Sequence, residues 1–109
     1  MSRMLKALGD ETRLRIVALL AHDELCVCHL ESALALSQPN VSRQLGVLRN
    51  AGIVEPRREG SWVYYRLAEQ TDPDCKEQLR TLTKCFAKRE VLRGDVQRLL
   101  KVRGPGSCL

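Results

Sequence analysis

The sequence predicts a mainly helical domain with one small β-hairpin, and three observations lead to this prediction. Apolar residues recur at helical spacing through most of the chain. The spacing changes to a period of two only after Ile53, where a hairpin is indicated. Hydrophobic residues make up 44% of the 109 residues and aromatic residues only 4%, so the core must consist mainly of aliphatic side chains, as is common in small helical proteins. The length suits one domain with one modest core.

The first third of the chain predicts two helices and then a segment that contains two cysteines. In "GDETRLRIVALLAH", Asp10 is the expected N-cap, and Glu11 favours the positive end of the helix. A shorter apolar stretch, "SRMLKAL", precedes it and predicts one or two further helical turns. The segment "ELCVCHLESALAL" then predicts an extended entry into a short helix, Cys28–Leu34.

The stretch "SQPNVSRQLGVLRNAGIV" predicts the most clearly marked helix. Ser37 is a good N-cap, and Pro39 is tolerated only in a first turn, so the start of the helix is well defined. Its buried side should carry apolar residues at positions i, i+4 and i+7, namely Val41, Leu45 and Leu48. The glycine of "NAG" then ends the helix.

The rest of the chain predicts a hairpin, a long helix and a tail. The hairpin turns at residues 59–61. After "TDPD", one long helix is expected from about Cys75 to Lys101, with Gly94 as a weak point. Glycine and proline in "RGPGS" cannot continue a helix, so residues 104–109 should form a flexible tail on a single domain of residues 1–103.

The order of short helix, tight turn, second helix and basic hairpin is typical of a winged helix-turn-helix protein. The apolar side of the second helix leaves a polar tip free of the core, which consists of Gln38, Asn40, Ser42 and Arg43. Glutamine and asparagine match adenine edges, arginine matches guanine, and serine matches a base or a phosphate. Residues 37–66 carry five basic and two acidic side chains, a net charge of +3, and the hairpin is flanked by Arg57, Arg58 and Arg66 and could reach the DNA backbone or an adjacent minor groove. Any one of these residues could be an ordinary solvated position, but the set predicts binding to double-stranded DNA.

Four stretches, "LGDETRLRIVALL", "ELCVCHL", "SQPNVSRQLGVLRNAGIV" and "REGSWVYYRL", resemble the ArsR/SmtB family of bacterial metal-sensing repressors. The resemblance runs from Leu8 to Leu67 in order and without gaps. It implies a homodimer whose first and last helices pack across the two-fold axis, and a repressor that leaves its operator when a metal or metalloid binds. Within the family, "ELCVCHL" resembles the cysteine site of the arsenic- and antimony-sensing members, which implies derepression of a resistance operon.

Cys26 and Cys28 are the first candidate ligands. Trivalent arsenic and antimony are soft and thiophilic, so they select thiolates, and a helix start favours the thiolate form. On a regular helix, positions i and i+2 differ by about 200°, whereas in an extended strand they share a face. We therefore expect ligand binding to unwind the start of the helix at Cys28 and to pass this distortion to the reading helix that begins at Ser37.

The sequence leaves open which group supplies the third ligand. A common form of the motif has a third cysteine where this chain has Glu31, a hard oxygen donor and a poor arsenic ligand. Cys108 on the tail is the first candidate, a solvent-derived ligand is nearly equal, and Cys75 is less favoured. We interpret Cys85 as a thiol of the dimer face and His29 as structural or exposed. The last helix contains no histidine, so a zinc, nickel or cobalt site on it has little support.

Three alternatives remain, of which the first keeps the class of protein and the other two change it. The same DNA-binding repressor could respond to cadmium, lead or oxidation of its thiols. A thiol enzyme is disfavoured, because the usual motif is Cys-x-x-Cys in a thioredoxin-like fold and no parallel-sheet pattern is present; a metallochaperone without DNA binding is the third possibility. We expect no enzyme activity and no organic cofactor. No apolar run approaches the ~20 residues that span a bilayer and no signal-peptide pattern opens the chain, so we expect a cytoplasmic protein.

Overall fold

A computed structural model describes residues 2–102, which form six helices and three short strands. The elements in chain order are α1 (Ser2–Leu8), α2 (Glu11–Leu20), β1 (Leu25–Cys26), α3 (Val27–Leu34), α4 (Gln38–Asn50), β2 (Val54–Glu59), β3 (Trp62–Leu67), α5 (Pro73–Phe86) and α6 (Glu90–Val102). Across this range, no helix combines the length and the apolar character that crossing a membrane requires. The expected tail and its Cys108 lie outside the described residues, so the division at residue 103 stays a prediction.

The three strands form one antiparallel sheet in the order β1-β3-β2. Strands β2 and β3 are the predicted hairpin, and Gly60 in its turn has φ +61°, a left-handed conformation that glycine adopts without strain. The extended entry before α3 is itself a strand, because Leu25 pairs with Tyr65 and Cys26 with Tyr64 of β3. The first cysteine is therefore joined to the hairpin by main-chain pairing.

The core lies between α2, α3, α4 and the base of the sheet. The predicted stripe of α4 is confirmed, since Val41, Leu45 and Leu48 are all buried. They pack in a cluster with buried residues of the other elements, among them Ile16 and Leu30. A continuous apolar core of this kind holds α4 by one side and leaves the opposite side to solvent.

The predicted ends of α2 and α4 are confirmed, with one difference in the cap. Asp10 accepts a hydrogen bond from the main-chain N–H of Arg13 at 3.1 Å. Ser37 occupies the N-cap position of α4, but its side chain makes no capping hydrogen bond. Pro39 lies in the first turn, and Gly52 follows the helix with φ +75°.

The prediction of one long helix from Cys75 to Lys101 is wrong. Helix α5 ends at Phe86 and α6 begins at Glu90, so the break lies before Gly94 and not at it. In one continuous helix, the buried Leu79 and Leu99 would differ in direction by about 200° and could not share a core. The turn between the helices lets α6 pack on α3 and bury Leu99 there.

Gly46 offers a test of how α4 is stabilised. It lies in the middle of the helix, and a Cβ added there would meet nothing within 4 Å. Gly46→Ala should therefore raise the free energy of unfolding by about 0.5–1 kcal/mol, because alanine loses less backbone entropy on folding. Urea unfolding followed by circular dichroism measures the change.

Gly52→Ala is the matched control. A Cβ added at Gly52 also meets no atom within 4 Å, but the backbone of Gly52 is left-handed, which strains any residue other than glycine. The free energy of unfolding of this variant should fall by about 1–2 kcal/mol. Equal effects of the two substitutions would contradict the argument.

Candidate metal centre and nucleic-acid interface

The two cysteines converge at the junction of β1 and α3. Cys26 is the last residue of the strand and the N-cap of the helix, with an extended backbone (φ −82°, ψ 163°), and Cys28 lies in the first turn of α3. Their sulfur atoms are 2.6 Å apart. Cys26 is buried and Cys28 is half-buried, so the pair lies at the edge of the core.

This geometry removes the reason for predicting that the start of α3 must unwind before both sulfurs can reach one ion, and unwinding on ligand binding stays a prediction. The 200° rotation applies to two residues of the same helix, and Cys26 is not in the helix. Its extended backbone turns its side chain toward that of Cys28 while α3 stays regular. The two sulfurs therefore lie side by side while the helix stays intact.

His29 is a third possible donor at this site. It is buried, and one of its ring nitrogens and the two sulfurs all lie within 4.8 Å of one another. Among the residues that the structure describes, this is the group of three that could hold a metal ion. The sequence left open whether His29 is structural or exposed, and it did not indicate the place of His29 beside both thiols.

The remaining described cysteines lie on α5. Cys75 is buried at the start of that helix, and Cys85 is exposed near its end. Cys85 lines a shallow groove with Leu14, Leu82 and Phe86. The interpretation of Cys85 as a thiol of the dimer face stays a prediction, because the structure contains one copy of the chain. The same holds for Cys108, which lies beyond the described range.

The predicted polar tip of α4 lies outside the core. Gln38, Ser42 and Arg43 are exposed and Asn40 is half-buried. Gln38 Nε2 donates to Ser42 Oγ at 2.7 Å. Asn40 Oδ1 accepts a hydrogen bond from Gln44, a residue that the sequence pattern did not indicate.

The two predicted arginines of the hairpin differ in their surroundings. Arg57 hydrogen-bonds to Glu24 and, at 3.0 Å, to Glu59, and its guanidinium lies 5.0 Å from the ring centroid of Tyr64. The hydrogen bonds that Arg57 donates, first to Glu24 and then to Glu59, raise the pKa of Arg57 above its usual value. Arg58 is exposed and makes no ion pair with residues 2–102. Arg58 is therefore better placed than Arg57 to meet a phosphate.

The cysteine segment and the hairpin are connected twice. Cys26 pairs with Tyr64 through the main chain, and Glu24, two residues before Cys26, binds Arg57 of β2. A movement of the cysteine segment would therefore act on the hairpin directly. No local pattern in the sequence indicates the contact between Glu24 and Arg57, because the two are 33 positions apart.

A buried ionic cluster lies at the other end of α3. Asp95 of α6 is fully buried and accepts hydrogen bonds from Arg15 at 2.7 and 2.8 Å and from Arg98 at 2.7 Å. The same arginines donate to the last carbonyls of α3, Arg15 to Leu34 and Arg98 to Ala33. These carbonyls have no partner within their own helix, so the cluster caps α3 and ties it to α2 and α6.

The Asp95 carboxylate also acts on its arginine partner. Its hydrogen bond is the largest influence on the pKa of Arg15, which is raised above its usual value although burial acts in the opposite direction. A raised pKa means that the contribution of Arg15 to stability is fully present below its unfolded pKa and is lost only as the pH rises through the still higher folded pKa, far above physiological pH. The cluster is therefore insensitive to the titration of Arg15 at physiological pH.

Comparison with known proteins agrees with this geometry. A family model described as "Bacterial regulatory protein, arsR family" matches residues 10–56. The chain is 44% identical, over 108 residues, to the arsenic resistance transcriptional regulator ArsR1 of Pseudomonas putida, an alignment that covers 94% of this chain and 83% of that protein. It is 52% identical, over 67 residues, to the arsenical resistance operon repressor of Escherichia coli. That alignment covers 61% of this chain and 57% of the relative.

A solved structure supports the fold. The homodimeric winged helix-turn-helix DNA-binding domain Mb0332 from Mycobacterium bovis, a possible ArsR-family transcriptional regulator, superimposes with a TM-score of 0.65 at 33% identity. The match covers 77% of this chain and 72% of that one. The predicted winged helix-turn-helix fold is thereby confirmed.

Proposed function

The chain belongs to the ArsR family of bacterial DNA-binding transcription regulators, which are not enzymes, and we propose that it represses a resistance operon until trivalent arsenic or antimony binds Cys26 and Cys28. The observation that carries the proposal is the convergence of the two sulfurs at the start of α3. Two relatives are named as regulators of arsenic or arsenical resistance, which supports the choice of ligand. The protein would act in the cytoplasm, where its DNA lies.

The donor set favours a soft ion. Thiolate sulfur is the ligand that such ions select, and both cysteines lie where the positive end of α3 favours the thiolate form. Cys26 and Cys28 supply two bonds to the metalloid. Cys108 stays the first candidate for the third bond, with a solvent-derived ligand as its alternative. Cys75 is disfavoured because it is buried at the start of α5.

Signal transmission does not require α3 to unwind. A metalloid that draws the two sulfurs into its own geometry pulls on β1, and β1 is paired with β3 and bonded through Glu24 to Arg57. The carboxyl end of α3 is held by the Asp95 cluster, and α4 follows it after three residues. The start of α3 would therefore pivot about a fixed end, and the hairpin would change position relative to α4 and to the DNA.

The operator would be read by a homodimer. In each copy the tip of α4, Gln38, Asn40, Ser42 and Arg43, would enter the major groove, and Arg58 of the hairpin would meet the backbone. The proposed dimer contact lies on α1 and the last helices. Leu5, which is 50% exposed, and Leu82 line a shallow apolar cavity between α1 and α5 that a second copy would cover.

Glu24→Gln tests the role of the hairpin arginine. Loss of the carboxylate should leave Arg57 held only by the exposed Glu59, with which a phosphate can compete. We expect DNA affinity to rise severalfold at low salt, and the slope of log K against log salt concentration to steepen by about one for each additional phosphate that the protein neutralises. Fluorescence anisotropy at several salt concentrations measures both quantities.

Glu69→Gln is the control, because it changes the net charge equally at an exposed position that makes no ion pair with the rest of residues 2–102. An equal salt slope in the two variants would mean that Arg57 does not bind a phosphate when Glu24 is lost.

The experiment that tests the proposed function is a titration of the protein–operator complex with arsenite, antimonite, cadmium, lead and peroxide. The wild-type protein is compared with single serine variants of Cys26, Cys28, Cys75, Cys85 and Cys108. Release by arsenite or antimonite that depends on Cys26 and Cys28 supports the proposal. Release by the other agents alone would overturn the assignment of the metalloid and keep the repressor.

Thiol oxidation is the second candidate signal, and the contact between the sulfurs favours it. One peroxide molecule can convert two thiols into a disulfide, taking two electrons and two protons from them and becoming two molecules of water. Cadmium or lead is a further alternative, because the nearby imidazole of His29 adds a nitrogen donor that suits a borderline divalent ion better than it suits arsenic. The titration separates these signals from the metalloids.

A further inference from the structure

A chain of hydrogen bonds connects the tip of α4 to the start of the fold. Arg13 Nη1 donates to Gln44 Oε1 at 3.0 Å, and Gln44 Nε2 donates to Asn40 Oδ1 at 3.2 Å. Arg13 is held in turn by α1, because its guanidinium also donates to the main-chain carbonyls of Ala7 and Lys6. The side chain of Asn40 is thus connected through two others to the end of α1.

The arginine determines the direction of each hydrogen bond in this chain. A guanidinium has five N–H donors and no acceptor, so the atom of Gln44 that faces Arg13 must be the amide oxygen. The amide nitrogen of Gln44 then faces Asn40 and can only donate, so Asn40 must offer its oxygen. The amide nitrogen of Asn40 therefore points away from Gln44, and this side chain is only half-buried.

The neighbouring amide of Gln38 has no such constraint. Its partner is the hydroxyl of Ser42, at 2.7 Å, and a hydroxyl both donates and accepts. Either end of the Gln38 amide can therefore face Ser42. Of the two amides at the tip of α4, only that of Asn40 has its orientation set by the rest of the protein.

We propose that Asn40 enters the major groove as a hydrogen-bond donor and selects a base edge that carries acceptors, foremost the adjacent O6 and N7 atoms of guanine. The inference rests on the proposed function, since it requires α4 to lie in the groove. Asparagine recognises adenine with its oxygen and nitrogen presented together, and the hydrogen bond from Gln44 turns the oxygen of Asn40 toward its own helix. This revises the expectation that Asn40 pairs with adenine. Gln44 and Arg13 are positioning residues in this arrangement.

The substitution Gln44→Glu reverses the polarity of the chain with almost no change in size. The new carboxylate only accepts, so it pairs with Arg13 and turns the amide nitrogen of Asn40 toward itself, which leaves the oxygen of Asn40 facing outward. Cytosine and adenine, whose exocyclic amines donate in the major groove, then become the matching bases.

The test is selection of bound DNA from a randomised operator half-site by the full-length dimer. The wild-type protein should prefer guanine at one position by about 5- to 150-fold, and Asn40→Ala should lose that preference. Gln44→Glu should transfer the preference at the same position to adenine or cytosine, and Gln44→Leu, which removes the connection, should relax it. Preferences are compared as ratios, because the added negative charge weakens binding to all sequences alike.

Two results would overturn the inference and leave the proposed function standing. The first is selection of the same base by wild type and by Gln44→Glu. The second is a uniform loss of affinity in Asn40→Ala together with a smaller salt slope, which would assign Asn40 to a phosphate. If the wild-type dimer selects no sequence at all, the proposed function fails, and that failure is distinguishable from the other two.

Discussion

Replacing Cys26 and Cys28 together with serine should keep the protein on its operator at arsenite concentrations that release the wild-type dimer. Serine oxygen is a hard ligand in the place of a soft one, so the metalloid loses the donors that it selects. Effectors commonly change affinity at a coupled site by 5- to 150-fold. We expect roughly a 100-fold loss of operator affinity in the wild type and less than about a twofold change in the double variant, measured by anisotropy with arsenite and with antimonite.

Cys85→Ser is the matched control, because it exchanges the same atom on α5, in a groove that none of the site residues lines. It should behave as the wild type. Cys26 is only 2% exposed, so its hydroxyl replacement costs about 1–2 kcal/mol of stability, and thermal melting must show that the double variant is folded. Undiminished release from the double variant would show that the inducer binds elsewhere.

Asp95→Asn should be among the most destabilising single substitutions in the chain. The Asp95 carboxylate is fully buried and balances the positive charges of two guanidinium groups, those of Arg15 and Arg98. The side chain of Arg15 is itself only 13% exposed. Removing one member of a buried ion pair leaves an uncompensated charge, which costs about 3–5 kcal/mol, and we expect the lower end because Arg98 is 43% exposed and is screened by solvent. Urea unfolding at matched protein concentration measures the change.

Glu77→Gln is the comparison for that variant, since it removes one negative charge from an exposed position of α5 and should change the free energy of unfolding by less than about 0.5 kcal/mol. The loss in free energy of unfolding for Arg98→Gln should lie between those of Asp95→Asn and Glu77→Gln. A loss below about 1 kcal/mol in Asp95→Asn would mean that the cluster does not hold α6 on α3, and the fixed end of the proposed signal path would then lie elsewhere.

The positions of the chemical groups explain why transmission from the cysteines need not be a local melting event. A helix that is anchored at its carboxyl end by Arg15 and Arg98 and joined at its amino end to the sheet can pivot about the anchored end without unwinding. Cys26 belongs to the sheet and Cys28 to the helix, so an ion held by both would bridge two elements. In the proposed mechanism, its binding would change the angle between them.

The amino-acid sequence by itself determined those features that depend on near neighbours. The buried stripe of α4, the start of α4 just before Pro39, its end just before Gly52, and the hairpin turn at Gly60 all follow from interactions within a few residues. The proposal of a soft ligand rests on the sequence in the same way, because two neighbouring cysteines supply two sulfurs in any fold.

Only the tertiary structure decided which distant groups meet and which way they face. Arg15 and Asp95 are 80 positions apart, and an aspartate on an amphipathic helix looks like a solvated charge until α6 folds onto α3. The direction of the Cys26 sulfur depends on the pairing of β1 with β3, and the outward face of the Asn40 amide depends on an arginine of α2. The physical reason is the same in each case: side-chain spacing specifies a face of an element, whereas the packing of elements specifies the partner that the face receives.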